Sequence, residues 1–446
     1  MPPRLLLPAA LATILLSLPA AAGAAEYVPG EVIVKYRDAA PGPVETLQQV
    51  TGTDAEQTLA GGSQQLAIED GDSVRETLTE LRADPNVAYA VPNYVAHAAA
   101  FVPNDPDFAL QWNLQGSFGI RMPDAWALAA DMGAPGGRGA VVAVLDSGVA
   151  YETRGRYKRA PDLRRATFTR GWDFVDRDRR PNDIFGHGTH VAGTIAQATN
   201  NRRGTAGIAY GARVMPLRVL DWRGEGDSVA ISRAIRYATR RGADVINLSL
   251  EFDPEVRSID IPDVLSALRF ARRRGALVVA AAGNHADLAV AYPARATSVL
   301  AVGATTVTGC EAEYSNAGDD LDVVAPGGGI DAPNSDNPWD QTYCKPDSLG
   351  QPIYQQTFIR PRKLRRFGLP GDFEGTSMSS PHVAAVAALV IATGRLGPNP
   401  SPRAIERHLE ATAIDAGPPG FDERYGHGLV DAAAALWTAP APTTAD

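Results

Sequence analysis

Four short motifs place reactive side chains far apart along the 446-residue chain. Gly375-Thr376-Ser377-Met378-Ser379-Ser380-Pro381-His382 offers a hydroxyl. A serine hydroxyl is a poor nucleophile until a base takes its proton. Gly375 permits a sharp backbone approach. Ser377 then stands at the head of an apolar helix, where unpaired N–H groups point outward and favour developing negative charge. Gly186-His187-Gly188-Thr189-His190 offers an imidazole, a base that works near neutral pH. Asp146 directly follows the apolar run 140–145, and a buried carboxylate can hold such an imidazole in one tautomer. Asn284 closes Ala281-Ala282-Gly283-Asn284 and carries an uncharged donor suited to an oxyanion. Singly, each signal is weak: an Asp at a strand end is often a helix cap, and a lone His is more often core. His187 and His190 have metal-ligand spacing, but the Glu of the zinc-hydrolase motif is missing between them.

Elements of two kinds must position these groups. From residue 139 onward the pattern alternates strand and helix. Strands are expected at 140–145, 214–220, 244–250, 276–282 and 298–304. Helices are expected at 187–198, 228–241, 262–274, 376–393 and 402–412, the last capped by Ser401 with Pro402 in its first turn. The fold class expected is α/β, a mostly parallel sheet with helices on both faces, whose functional groups gather beyond the carboxyl ends of the strands. Ahead of it lies a small α+β module, with strands at 31–36 and 87–91 and a helix at 73–82, ending near Asn93-Tyr94. Residues 96–100 read as a junction and 103–107 as a loop. Residues 151–160 and 327–372 resist assignment; the basic run 360–366 reads as a solvated loop.

Composition narrows the class. Apolar residues make up 45% and charged residues 21%, the balance of a globular protein rather than a disordered one. The net charge of −9 sits mainly early: residues 26–100 carry 12 acids and 4 bases, a net of −8. No basic face marks a nucleic-acid binder. Arg4, the apolar stretch 5–18 and Ala22-Gly23-Ala24 read as an export signal over residues 1–25. The apolar run is short for a membrane span, so no membrane anchor is expected after signal removal. The expected location is secreted, extracellular or periplasmic. In an oxidising compartment Cys310 and Cys344 can form a disulfide, the alternative being two free thiols.

Asp146-Ser147-Gly148, His187-Gly188-Thr189-His190, Ala281-Ala282-Gly283-Asn284 and Gly375-Thr376-Ser377-Met378-Ser379-Ser380-Pro381-His382 together resemble the four signatures of the subtilisin family of serine peptidases, in that family's order. The resemblance runs from about residue 104 to 435. It implies a serine endopeptidase acting on protein or peptide substrates through an acyl-enzyme. Asp146, His187 and Ser377 would be catalytic and Asn284 the oxyanion donor. It implies a domain order of signal (1–25), inhibitory propeptide (26–100) and peptidase (101–440), the chain's own propeptide acting as intramolecular inhibitor until cut near residues 97–101. Ser249 and Leu250 resemble the strand that pairs with an extended peptide. Ala281, Ala282 and Gly283 would wall the main pocket, and Ala291 its base. Glu251 departs from the glycine usual in the family; it either favours a basic side chain or points to water. Asp105, Asp162 and Asn201 resemble a stabilising calcium site, and no cofactor is needed for the chemistry. His190 and His382 would only pack and hydrogen-bond. Two rival readings stand beside this one: a dedicated processing peptidase of narrow specificity, and a non-catalytic secreted binding protein on the same scaffold.

Overall fold

The structure is a computed structural model that describes residues 27–37, 51–59, 61–68, 73–94, 100–333 and 348–437, together with residues 48, 342, 344 and 345. The expected signal, most of the junction 96–100 and part of segment 327–372 lie outside the described residues. The chain divides into two compact units, Met1–His97 and Ala98–Asp446.

In the first unit, β1 (Tyr27–Tyr36), β2 (Thr53–Thr58), β3 (Gln64–Ile68) and β4 (Val87–Tyr94) form an antiparallel sheet in the order β2-β3-β1-β4. Helix α1 (Val74–Ala83) starts with a capping box between Ser73 and Glu76, which satisfies two otherwise orphaned N–H groups. Its Val74, Leu78 and Leu81 cover Val32, Val34 and Leu66 of the sheet. Strand β2 is largely polar in sequence and β3 offers only the short apolar run Leu66-Ala67-Ile68, so only the structure reveals them.

The second unit is built on β5 (Val141–Asp146), β6 (Thr167–Phe168), β7 (Trp172–Asp173), β8 (Arg213–Arg218), β9 (Val245–Leu248), β10 (Leu277–Ala281), β11 (Leu300–Thr305) and β12 (Val323–Pro326). They pair in parallel in the order β12-β11-β10-β9-β5-β8-β6, with β7 also on β8. The expected parallel sheet is present. Successive side chains of a strand face opposite ways, and β5 shows it. Val142 and Val144 pack with Val191 and Ile195 of α3 (His187–Ala196) and with Val383 and Val386 of α6 (Thr376–Ala392). Val141, Ala143 and Leu145 pack with Ile231 and Ile235 of α4 (Ser228–Arg240) and with Val264 and Leu268 of α5 (Pro262–Arg273). Both faces are covered, which is why β5 reads as a continuous apolar run.

Helix α7 (Pro402–Ala411) begins as expected, with Ser401 Oγ accepting from Ala404 N at 3.2 Å. Helix α2 (Met122–Asp131) and the short α8 (Ala432–Leu436) were not read from sequence. In the segment that resisted assignment, β13 (Thr357–Phe358) and β14 (Phe367–Gly368) form an antiparallel hairpin. The basic run is its largely exposed tip, with the Arg362 guanidinium 3.8 Å from the centre of the Trp222 ring. Cys310 and Cys344 are bonded to each other, with Cα atoms 5.6 Å apart.

Candidate active site

Strands β10, β9 and β5 are neighbours, so their carboxyl ends align Asn284, Ser249–Glu251 and Asp146 along one edge of the sheet. The strand order turns back at β5, the kind of place where open parallel sheets hold their chemistry. Helices α3 and α6 start at that edge. Gly186, with φ 116°, turns the chain so that His187 is the first residue of α3. Gly375, with φ 138°, does the same ahead of Thr376 and Ser377 in α6. Pro381 lacks an N–H and so leaves the Ser377 carbonyl without its helical donor. Ser249 Oγ donates to that carbonyl at 2.8 Å and meets Ser380 Oγ at 2.9 Å, which ties the start of α6 to the end of β9.

His187 Nδ1 lies 2.8 Å from Asp146 Oδ1 and 2.9 Å from Oδ2. Asp146 is wholly buried, and its Oδ1 also accepts from Ser147 N at 2.6 Å. This carboxylate therefore faces the Nδ1 proton and leaves Nε2 as the basic nitrogen. Burial alone would lower the His187 pKa, but the Asp146 charge and hydrogen bond, with Asp183 behind them, hold it above the ordinary value of 6.5. The consequence for rate can be signed. A general base must be neutral, and a raised pKa keeps the proton on to higher pH. Activity as a peptidase is expected to fall as pH drops through a midpoint above 6.5. A pH profile of kcat/KM with its acid limb below that value would contradict the assignment.

Ser377 and His187 line one cleft of about 380 Å³, shared with Leu220, Leu250 and Glu251. Ser377 Oγ donates to Ser249 O at 3.3 Å; among the described residues it makes no hydrogen bond with His187. In unliganded sites such bonds are often long and tighten only when substrate binds. The Asn284 amide is fixed in orientation: its Oδ1 accepts from Thr376 N at 2.8 Å and from Thr376 Oγ1 at 3.0 Å. Its Nδ2 therefore faces the other way, where Glu251 Oε1 accepts from it at 3.2 Å. Glu251 Oε2 also accepts from Asn284 N at 3.1 Å and lies 3.3 Å from His285 Nδ1.

The expected pocket wall and base meet. Ala291 N donates to Ala282 O at 2.7 Å. Gly283 sits at φ 115°, and a Cβ there would come within 3.0 Å of Ala291 Cβ. Ser249 and Leu250 follow β9 rather than belonging to it. His190 and His382 are buried, burial pushing them down to about 3 and about 4. His190 Nε2 donates to Ile353 O at 2.8 Å. His382 Nδ1 donates to Met378 O at 2.8 Å. Both are neutral packing residues. Sequence reasoning missed Asp183. Buried, it accepts from Ser147 Oγ, Phe185 N, Gly186 N, Thr189 N and Thr189 Oγ1, and so holds the turn that presents His187. No spacing in the sequence marks it, because its partners are mostly backbone.

Asp105, Asp162 and Asn201 also come together. Asn201 N donates to Asp105 Oδ1 at 3.2 Å, and Asn201 Nδ2 lies 2.6 Å from Asp162 Oδ1 and 2.7 Å from Ala198 O. Asn201 Oδ1 is buried with no partner. Burial pushes Asp162 up to about 6, opposed by its hydrogen bonds from Asn201 and Gln197 and aided by the Asp105 charge. Among the described residues no three His, Cys, Asp or Glu side chains group as metal ligands; this set is two carboxylates and one amide. Rotating that amide would place a third side-chain oxygen beside Asp162 and the Ala198 carbonyl. Such an oxygen-only group fits a hard cation such as calcium.

A family model described as the subtilase family, Peptidase_S8, matches residues 137–428. A second, described as the fervidolysin N-terminal prodomain, matches residues 17–93. The chain is 34% identical over 403 residues to a thermophilic serine proteinase of Bacillus sp. (strain AK1), covering 90% of this chain and 86% of that one. It is 35% identical over 301 residues to thermitase of Thermoactinomyces vulgaris, covering 67% and 88%. An extracellular protease of Xanthomonas campestris pv. campestris is 33% identical over 408 residues, covering 82% and 62%. Among solved structures, one of proteases from Pseudoalteromonas arctica superposes with a TM-score of 0.60 at 32% identity, covering 75% of this chain and 98% of that one.

Proposed function

Since this chain belongs to the subtilase family and is a subtilisin-like serine peptidase, we propose that Asp146, His187 and Ser377 are its catalytic groups and Asn284 its oxyanion donor. The observation that carries this is the hydrogen bond between buried Asp146 and His187, on a histidine that shares a cleft with Ser377. Ser377 Oγ attacks the peptide carbonyl carbon as its proton passes to His187 Nε2. Asn284 Nδ2 and the Ser377 N–H, which has no acceptor within its helix, hold the oxyanion. Collapse breaks the C–N bond, and His187 returns the proton to the leaving amine. Water then attacks the acyl-enzyme as His187 takes its proton; the bond between the acyl carbon and Ser377 Oγ breaks, His187 returns the proton to Oγ, and the acid is released. Labelling of mature protein with a serine-directed fluorophosphonate tests the reading. Covalent modification at Ser377 and hydrolysis of casein are expected; a folded, mature protein left unlabelled would overturn it.

Residues 26–100 act in this reading as the inhibitory propeptide, ahead of a peptidase domain at 101–440. The match of residues 17–93 to a family prodomain supports this. Secretion is proposed from the basic and apolar leader, the Cys310–Cys344 bond and a relative named an extracellular protease. N-terminal sequencing of the secreted product is expected to place the new terminus near residues 97–101. No helix among the described residues is long and apolar enough to cross a membrane.

Asp105, Asp162 and Asn201 would hold a calcium ion, which supplies charge neutralisation to two buried acids and takes no part in peptide hydrolysis. Chelation is expected to lower the thermal midpoint by several degrees, and added calcium to restore it. Asp162→Asn should remove most of that difference. An unchanged midpoint in chelator, read by calorimetry, would count against the site.

A further inference from the structure

Glu251 is held where substrate must come. It accepts from both nitrogens of Asn284 and lies beside His285 Nδ1. It is only 22% exposed. Its Oε2 would be 2.7 Å from a Cβ on Gly283, the same point that lies 3.0 Å from Ala291 Cβ. The carboxylate thus converges on the wall and base of the pocket proposed to take the substrate side chain. Asn316 Nδ2 crowds the same point, and Glu251 places a negative charge beside it. Glu251 also lines the cleft that holds His187 and Ser377. Glu225 lines it too, exposed and paired with Arg223 Nη1 at 3.9 Å.

Two physical consequences follow. First, Glu251 is bonded to the amide that would hold the oxyanion. A second negative charge growing at that amide is repelled unless Glu251 is neutralised. Secondly, a neutral bulky side chain entering the pocket must push the carboxylate off Asn284 and leave it with fewer partners, and a poorly paired, partly buried charge is costly. A side chain ending in a guanidinium or ammonium group removes both difficulties. It replaces the Asn284 and His285 contacts of Glu251 with an ion pair and cancels its charge as the oxyanion forms.

We propose that Glu251 determines specificity, selecting peptides with Arg or Lys on the acyl side of the scissile bond. The proposal rests on the peptidase reading of Ser377. It is tested with mature wild-type protein, Glu251→Gln and Glu251→Gly, on matched peptide p-nitroanilides ending in Arg, Lys, Phe or Leu. Active sites are first counted by fluorophosphonate titration. The wild type should favour Arg and Lys over Phe and Leu in kcat/KM by about 10–100-fold, the factor a hydrogen bond to a charged group supplies. Both variants should lose most of that preference, largely through slower cleavage of the cationic substrates. Equal wild-type cleavage of Phe and Arg substrates overturns the proposal and leaves the peptidase reading intact. So does an unchanged preference in fully titrating Glu251→Gln. Failure of the wild type to titrate at all overturns the peptidase reading and this proposal with it.

Discussion

Ser377→Ala protein is expected to lose about 10⁶-fold in kcat on casein or a peptide substrate while keeping its fold, since loss of the nucleophile alone costs that much in subtilisin. The structural cost should be small. Among the described residues Ser377 Oγ makes one hydrogen bond, at 3.3 Å to Ser249 O. The start of α6 stays anchored through Ser249 Oγ to the Ser377 carbonyl and through Thr376 to Asn284 Oδ1. Both survive the substitution, because one uses the backbone of residue 377 and the other a neighbouring residue. The oxyanion donors and cleft remain, so a residual rate about 10³–10⁴ above water is expected. If processing is autocatalytic, the variant should also retain residues 26–100, seen as a heavier product by mass spectrometry. Undiminished casein cleavage by a pure preparation would end the assignment.

The groups proposed to react could be singled out in the sequence because such chemistry packs its requirements into short stretches. A base at a helix start needs small neighbours, and a nucleophile at another start needs a glycine before it. Both leave local traces around His187 and Ser377. The strands that lead to Asp146 and Asn284 were legible for a different reason: burial on both faces makes β5 apolar up to Asp146 and β10 apolar throughout. Where the pattern is non-local, reading stopped. Helix α2 buries Met122, Ala125, Trp126 and Ala129, a proper helical spacing. It starts from Arg121 in a left-handed conformation with no side-chain cap, so the usual start signal is missing. The described parts of segment 327–372 are held by partners outside it: Tyr314 donates to Gly328 O, and Thr357 Oγ1 donates to Gly186 O across 171 residues of chain. Glu251 shows the same limit at the site itself. Its position beside Ser249 and Leu250 was readable, but the contacts that turn it toward Asn284 cross 33 residues.

Asp146→Asn should cost about 10⁴-fold in kcat, the loss seen when the orienting acid of such a triad becomes an amide. The geometry explains why an isosteric change has so large an effect. In the wild type both Asp146 oxygens lie within 2.9 Å of His187 Nδ1, so the ring proton sits there and Nε2 faces the cleft unprotonated. Asp146 Oδ1 also accepts from Ser147 N. An asparagine would keep its oxygen toward that N–H and turn its amide N–H toward His187 Nδ1. Nδ1 could then only accept, the proton would move to Nε2, and the nitrogen facing Ser377 could not act as a base. The variant has a second signature. The Asp146 charge and hydrogen bond are what raise the His187 pKa against burial, so without them burial prevails and the acid limb of the kcat/KM profile should move to lower pH. A merely misfolded variant would lower the rate without moving the limb. A variant with near wild-type kcat, or with an unmoved limb, would show that Asp146 does not orient His187.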